Sequence, residues 1–102
     1  MNVPNNKITN EGKVLVGQFL KSQRKTKGLK QIDIANEVGY DAVNFISLIE
    51  KGQSKIPFEK IDTFAKAYKL DFFEFAMFVI DNSYPNCRKI INKIICGADI
   101  NK

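Results

Sequence analysis

The 102-residue sequence has no histidine, and so lacks the commonest general base and the commonest zinc ligand. It has only two cysteines, Cys87 and Cys96, which is too few for a four-ligand zinc site. Both read as small apolar packing residues, and a disulfide is not expected. There is no glycine-rich phosphate loop and no acidic pair suited to a catalytic cleft, so an enzyme is the least expected of the readings, and neither a metal nor a cofactor is expected. No run of about 18 apolar residues exists, which excludes a membrane span. The opening MNVPNNKITNEGK has neither an apolar core nor a small-residue cleavage pattern, so no signal peptide is expected and the cytoplasm is the expected location. Strand-like alternation is absent as well, which leaves an all-α fold.

What is present is a composition of 44% hydrophobic and 26% charged residues, enough for one domain with a single modest core. The formal charge is +5 and the pI about 9.3, which suits an anionic partner. Its distribution says more than its size. From Gly12 to Ile32 the chain carries Lys13, Lys21, Arg24, Lys25, Lys27 and Lys30 with no acidic residue. Such a run is either a solvated helix face or a surface for nucleic-acid phosphate.

Residues 1–11 are polar and Asn-rich and read as a flexible arm. A first helix is expected over 13–27, ended by Gly28. A second spans 30–38, with Ile34, Ala35 and Val38 on one face and Gly39 closing it. Asp41 is placed to cap a third helix over 42–50, which stops before Gly52. Pro57 opens a fourth helix to 68, with Ile61, Phe64, Ala65 and Tyr68 inward. Asp71 caps a fifth, DFFEFAMFVID, apolar on nearly every side and therefore expected to be hidden. After a break at 82–85, Cys87, Ile90, Ile91, Ile94 and Ile95 recur at helical spacing and define a final amphipathic helix.

The run GLKQIDIANEVGYDAVNFISLIEKGQSKIPFEKIDTFAKAYKLDFFEF resembles the Cro/repressor (XRE) type of helix-turn-helix domain. The marks are Leu29 and Gln31, Ile34-Ala35, Gly39, Ile46, the Glu50-x-Gly52 pair, and Pro57 followed by an Ile61/Phe64/Ala65/Leu70 face. With the first helix included, the resemblance covers about residues 13–76. It implies a lambda-repressor-like five-helix domain over 12–81, with residues 82–102 as a C-terminal dimerisation or packing element. It further implies a salt bridge between Arg24 and Glu50 and a phosphate contact from Gln31, helped by the positive end of the second helix. Lys27, Lys30, Lys51 and Lys55 would add sequence-independent attraction. The family's base-facing positions fall on Val43, Asn44, Ser47 and Leu48. Asn44 suits adenine, Ser47 suits several bases, and Val43 and Leu48 meet thymine methyls or fill space. Two departures stand out. One extra residue separates Gly39 from Glu50, and the third helix lacks the Arg, Gln or Lys often found on its N-terminal face.

The function expected is therefore a sequence-specific DNA-binding transcriptional regulator, repressor-like, acting as a homodimer on double-stranded DNA. One helix reads only a few base pairs, and a two-fold site doubles the contacts. Phe72, Phe75, Phe78, Ile90, Ile91, Ile94 and Ile95 exceed what one small core needs and supply the expected subunit interface. The competing expectation is a protein-interaction module, such as an antirepressor or antitoxin-like partner. It would dock a protein on the apolar side of the third helix and on the C-terminal helices.

Overall fold

The computed structural model describes residues 4–39 and 43–100, with side chains over 11–39 and 43–96. Among the described residues six α-helices follow in order: α1 Pro4–Thr26, α2 Gln31–Val38, α3 Val43–Glu50, α4 Ile61–Ala67, α5 Phe72–Ser83 and α6 Pro85–Ile100. A 3-10 turn, Phe58–Lys60, leads into α4. The fold is all-α, and the described residues include no strand.

Helix α1 begins well before the expected boundary. Residues 4–11 were expected to be a loose arm, but the chain is helical from Pro4, whose fixed φ suits a first helical position. Gly12, just past this stretch, packs closely on α5. It is buried, and a Cβ there would strike the backbone carbonyl of Asn82 near the end of α5. Further along, Val16, Leu20 and Arg24 recur every fourth residue and turn inward together.

Helix α2 starts one residue later than the glycine and periodicity pattern suggests. Gly39 adopts φ 93°, and its N–H closes α2 on the Ala35 carbonyl at 3.0 Å. A left-handed turn of this kind suits a residue without Cβ. The Asp41 cap lies outside the described residues. Ala35 is fully buried, as is Ile34, where α2 meets α3 and α4.

The core gathers one face from each of α1–α5. Tyr68, Phe64, Leu20, Ile34, Ile46, Ile49, Ile56 and Val79 are its largest fully buried side chains. Helix α4 buries Ile61, Phe64, Ala65 and Ala67. Helix α5 opens with the Asp71 carboxylate accepting from Glu74 N–H at 3.0 Å. It is not hidden all round. Phe75, Ala76, Val79 and Ile80 are buried, whereas Phe72 and Phe73 are exposed.

Helix α6 turns off α5 at Tyr84. The Tyr84 hydroxyl donates to the Ile56 carbonyl at 2.6 Å, and its ring stacks edge-on against Phe58. Cys87 and Ile91 pack on the core, and Arg88 Nε meets Asp81 Oδ1 at 2.9 Å. That pair is largely solvated and adds little. Cys96 does not pack as expected; it is exposed on the outer part of the helix.

Candidate nucleic-acid interface

Helix α3 is short, eight residues, and must be held by its neighbours rather than by its own propensity. Ile46 and Ile49 anchor it, at 0% and 1% exposure. Its C-terminus lies directly on α1. A Cβ on Gly17 would collide with the carbonyls of Ile49 and Glu50, so only glycine lets the two backbones approach this closely. Gly17 was not among the residues singled out from sequence. Its neighbours along the chain give no hint that another helix crosses there.

Beneath α3 lies a buried polar network centred on Glu50. Arg24 Nε donates to Glu50 Oε2 at 2.8 Å and Nη2 donates to Oε1 at 3.0 Å, a fork-to-fork pair. Tyr68 Oη donates to Oε2 at 2.7 Å, and Gln31 Nε2 to Oε1 at 3.1 Å. Arg24 Nη1 reaches the Leu29 carbonyl at 3.0 Å. Four donors on one carboxylate tie α1, α2 and α4 to the last residue of α3. Burial pushes the Glu50 carboxyl up, but hydrogen bonds from Arg24, Tyr68 and Gln31 outweigh it and hold the group below its ordinary range. The same bond to Glu50 raises Arg24 further, and burial followed by the Glu50 bond drives Tyr68 far above an ordinary phenol. The ion pair is therefore locked in its charged form, and its tyrosine in the neutral one.

The structure brings Arg24 and Glu50 together but changes the setting of several other residues. Gln31, expected at a phosphate, is half-buried and spends its amide N–H on Glu50. Lys27, also expected at a phosphate, donates instead to the carbonyls of Tyr68 and Lys69 at 2.8 and 2.7 Å. There its charge answers the negative end of α4. Lys30 and Lys51 are exposed, and Lys55 Nζ rests 4.7 Å over the Tyr84 ring. Of the four base-facing positions, Asn44 and Leu48 are exposed and Ser47 is half-buried. With Lys51 they form one outward stripe at i, i+3, i+4 and i+7. Val43 lies at the edge of that stripe and packs against the core, as does Phe45.

Beside this stripe is a polar cleft of about 270 Å³, lined by Val14, Gln18, Lys21, Gln31, Ser47, Glu50 and Lys51. Gln18 and Lys21 were not expected there as contacts. Lys21 stood in the acid-free run, but only packing shows that it faces α3. With the Glu50 charge neutralised within the network, Lys21 and Lys51 set the sign of this cleft.

The expected interface residues divide. Phe75 is 2% exposed and belongs to the core, because α5 turns it towards α1 and the core. Phe78 stacks at a tilt on Phe19 at 5.1 Å, and Ile91 packs inward. Phe72, Ile90, Ile94 and Ile95 remain exposed.

Five packed helices, a glycine turn between two short ones, and a locked, outward-facing third helix make up an all-α helix-turn-helix fold that resembles the Cro/repressor (XRE) type. A search of solved structures finds a match in the restriction-modification controller protein C.AhdI from Aeromonas hydrophila, with a TM-score of 0.58 and 29% sequence identity. The match covers 65% of this chain and 94% of that one. No family model matches the chain, and comparison with curated proteins returned no match.

Proposed function

We propose that this chain is a DNA-binding transcription regulator of repressor type, acting as a homodimer with α3 in the major groove of double-stranded DNA. The observation that carries the reading is the pairing of two features of α3. Its base is fixed by the Arg24–Glu50–Tyr68–Gln31 network, and its outward stripe presents Asn44, Ser47, Leu48 and Lys51. A reading helix needs both, since base edges are distinguished only by donors and acceptors held in a fixed position.

The likeness to a controller protein supports the same reading. Asn44 would pair with adenine, Leu48 would meet a thymine methyl, and Ser47 would adapt to its base. Lys21, Lys30 and Lys51 would follow the phosphates on either side of the helix. The result is a sparse code, inclined to A·T pairs and strengthened by backbone contacts. The exposed apolar residues Phe72, Ile90, Ile94 and Ile95 would serve the two-fold pairing.

A protein-docking role for α3 has less support. Phe45 packs against the core, and among the described residues of α3 only Leu48 is a large exposed apolar side chain. Selection of bound duplexes from a random pool tests the DNA reading directly. The expected outcome is a pseudo-palindromic motif rich in A·T, with affinity that falls steeply as salt rises. Enrichment of no motif, together with no binding at low salt, would sink it.

A further inference from the structure

We infer that two copies of this chain pair by reciprocal docking, with the lysine-flanked isoleucine face of α6 on one protomer seated in the acid-rimmed aromatic groove beside α5 of the other. This rests on the homodimer reading above and names the surfaces it would use.

The groove holds about 240 Å³ between α1 and the N-terminal half of α5. Its walls are Phe19, Leu70, Phe75 and Phe78, and its rim carries Asp71 and Glu74. Both acids are exposed, and neither forms an ion pair among the described residues. Phe72, 53% exposed, stands next to the rim.

Helix α6 offers the complement. Its inner side is anchored by Cys87 and Ile91. Ile90 and Ile94, one turn apart, are 58% and 66% exposed. Lys89 and Lys93 precede them at the same spacing, so two lysines run alongside two isoleucines on one exposed strip. Apolar residues meet an apolar groove, and lysines meet the acidic rim.

Two features of the geometry favour a second copy over an unrelated partner. Both halves of the match are on one chain, so a two-fold axis satisfies each of them twice. In addition, α6 leaves from the C-terminal end of α5, whereas the groove lies towards its N-terminal end. Antiparallel apposition of two α5 helices would bring the partner's α6 to that groove.

Sedimentation equilibrium of the full chain without DNA provides the test. The combined Lys89→Glu and Lys93→Glu variant should weaken dimerisation by roughly tenfold or more, because two reversed contacts occur on each side of the axis. Adding Glu74→Lys should recover most of that loss, while Asp71 is left intact because it caps α5. All positions changed are exposed, and circular dichroism should show unaltered helix content. A dimer indifferent to these reversals would overturn the pairing while leaving the homodimer reading standing. A wild-type chain that stays monomeric at every concentration would overturn both. If Lys89→Glu and Lys93→Glu weaken only DNA binding, the lysines serve phosphate and the pairing is wrong.

Discussion

Helices α3 and α6 are both isoleucine-rich and amphipathic, yet most of their described isoleucines have opposite fates. Ile46 and Ile49 of α3 are at most 1% exposed, whereas Ile90, Ile94 and Ile95 of α6 are 58–66% exposed. The difference lies in what surrounds each helix. Helix α3 is enclosed by α1 and α2, and its end is bolted down by a carboxylate with four donors. Helix α6 touches α5 along one side, and its outer side faces open space. An apolar stripe therefore announces that a face will be covered, but not whether the cover comes from the same chain.

The largest effect should follow from breaking the α3 side at its base. Glu50→Ala leaves the Arg24 guanidinium buried without its partner, and is expected to cost about 3–5 kcal/mol of stability. Glu50→Gln keeps the shape and should cost less. The network also makes a pH prediction. Glu50 is held below its ordinary value in the fold, so its contribution is present above the unfolded pKa of 4.5 and is lost as pH falls through the lower folded value. For Tyr68 the folded value is raised, so its contribution is present below 10.0 and fades only in strong alkali. Urea melts across acid pH should show the wild type losing stability that Glu50→Gln never had. Parallel acid profiles for the two proteins would show that the carboxylate does not matter to the fold.

The next largest effect compares the isoleucines themselves. Ile49→Ala should cost about 2–5 kcal/mol, through lost burial and the cavity left behind. Ile94→Ala should change the melt of the dilute protein by no more than about 0.5 kcal/mol, since the side chain already meets solvent. At high concentration the order should narrow, because Ile94 would then support pairing. Equal losses in dilute solution would mean that α6 is held within the chain more firmly than its exposure suggests.

Much of the α3 side was legible in the sequence. Two short apolar periods, each bounded by glycine, placed α2 to within a residue and the end of α3 at Glu50, and the resemblance pointed to the pairing of Arg24 with Glu50. The remaining members of the network were not legible. Tyr68 sits 18 residues from Glu50 and reads as one more inward aromatic until its hydroxyl is seen to reach the carboxylate. Gln31 and Lys27 read as phosphate donors because their charge or amide is visible in sequence. The carboxylate and carbonyls that occupy them appear only when α3 and α4 are packed. Phe75 shows the converse. It stands among Phe72, Phe73, Met77, Phe78, Val79 and Ile80 on α5, and only the placement of the neighbouring helices decides which of them is core.

A smaller effect separates the two kinds of contact on the outer stripe of α3. Asn44→Ala should lose about 1–3 kcal/mol of discrimination at one adenine while leaving non-specific affinity nearly unchanged. Lys51→Ala should weaken every duplex alike and lower the salt slope by about one. Gel shifts on matched and mismatched duplexes over a salt series would read both. Identical behaviour of the two variants on all duplexes would remove the distinction between reading and holding.

The smallest effect comes from the way α3 and α4 end. Helix α3 finishes on Gly52 at φ 79°, with Gln53 N–H returning to the Leu48 carbonyl at 2.9 Å. Helix α4 finishes with the same pair of returning bonds, Lys69 to Lys66 and Leu70 to Ala65, yet its left-handed residue is Lys69 at φ 59°. A lysine there bears the Cβ strain that glycine avoids. Lys69→Gly should therefore raise stability, by about 0.5–1 kcal/mol after the greater freedom of glycine in the unfolded chain is subtracted. The carbonyls that Lys27 grips belong to the backbone and survive the change. Removing the nearby lysine charge should, if anything, favour that grip. A thermal melt raised by a few degrees would support this account of the cap. A lowered melt would mean that the Lys69 side chain contributes more than its backbone strain costs.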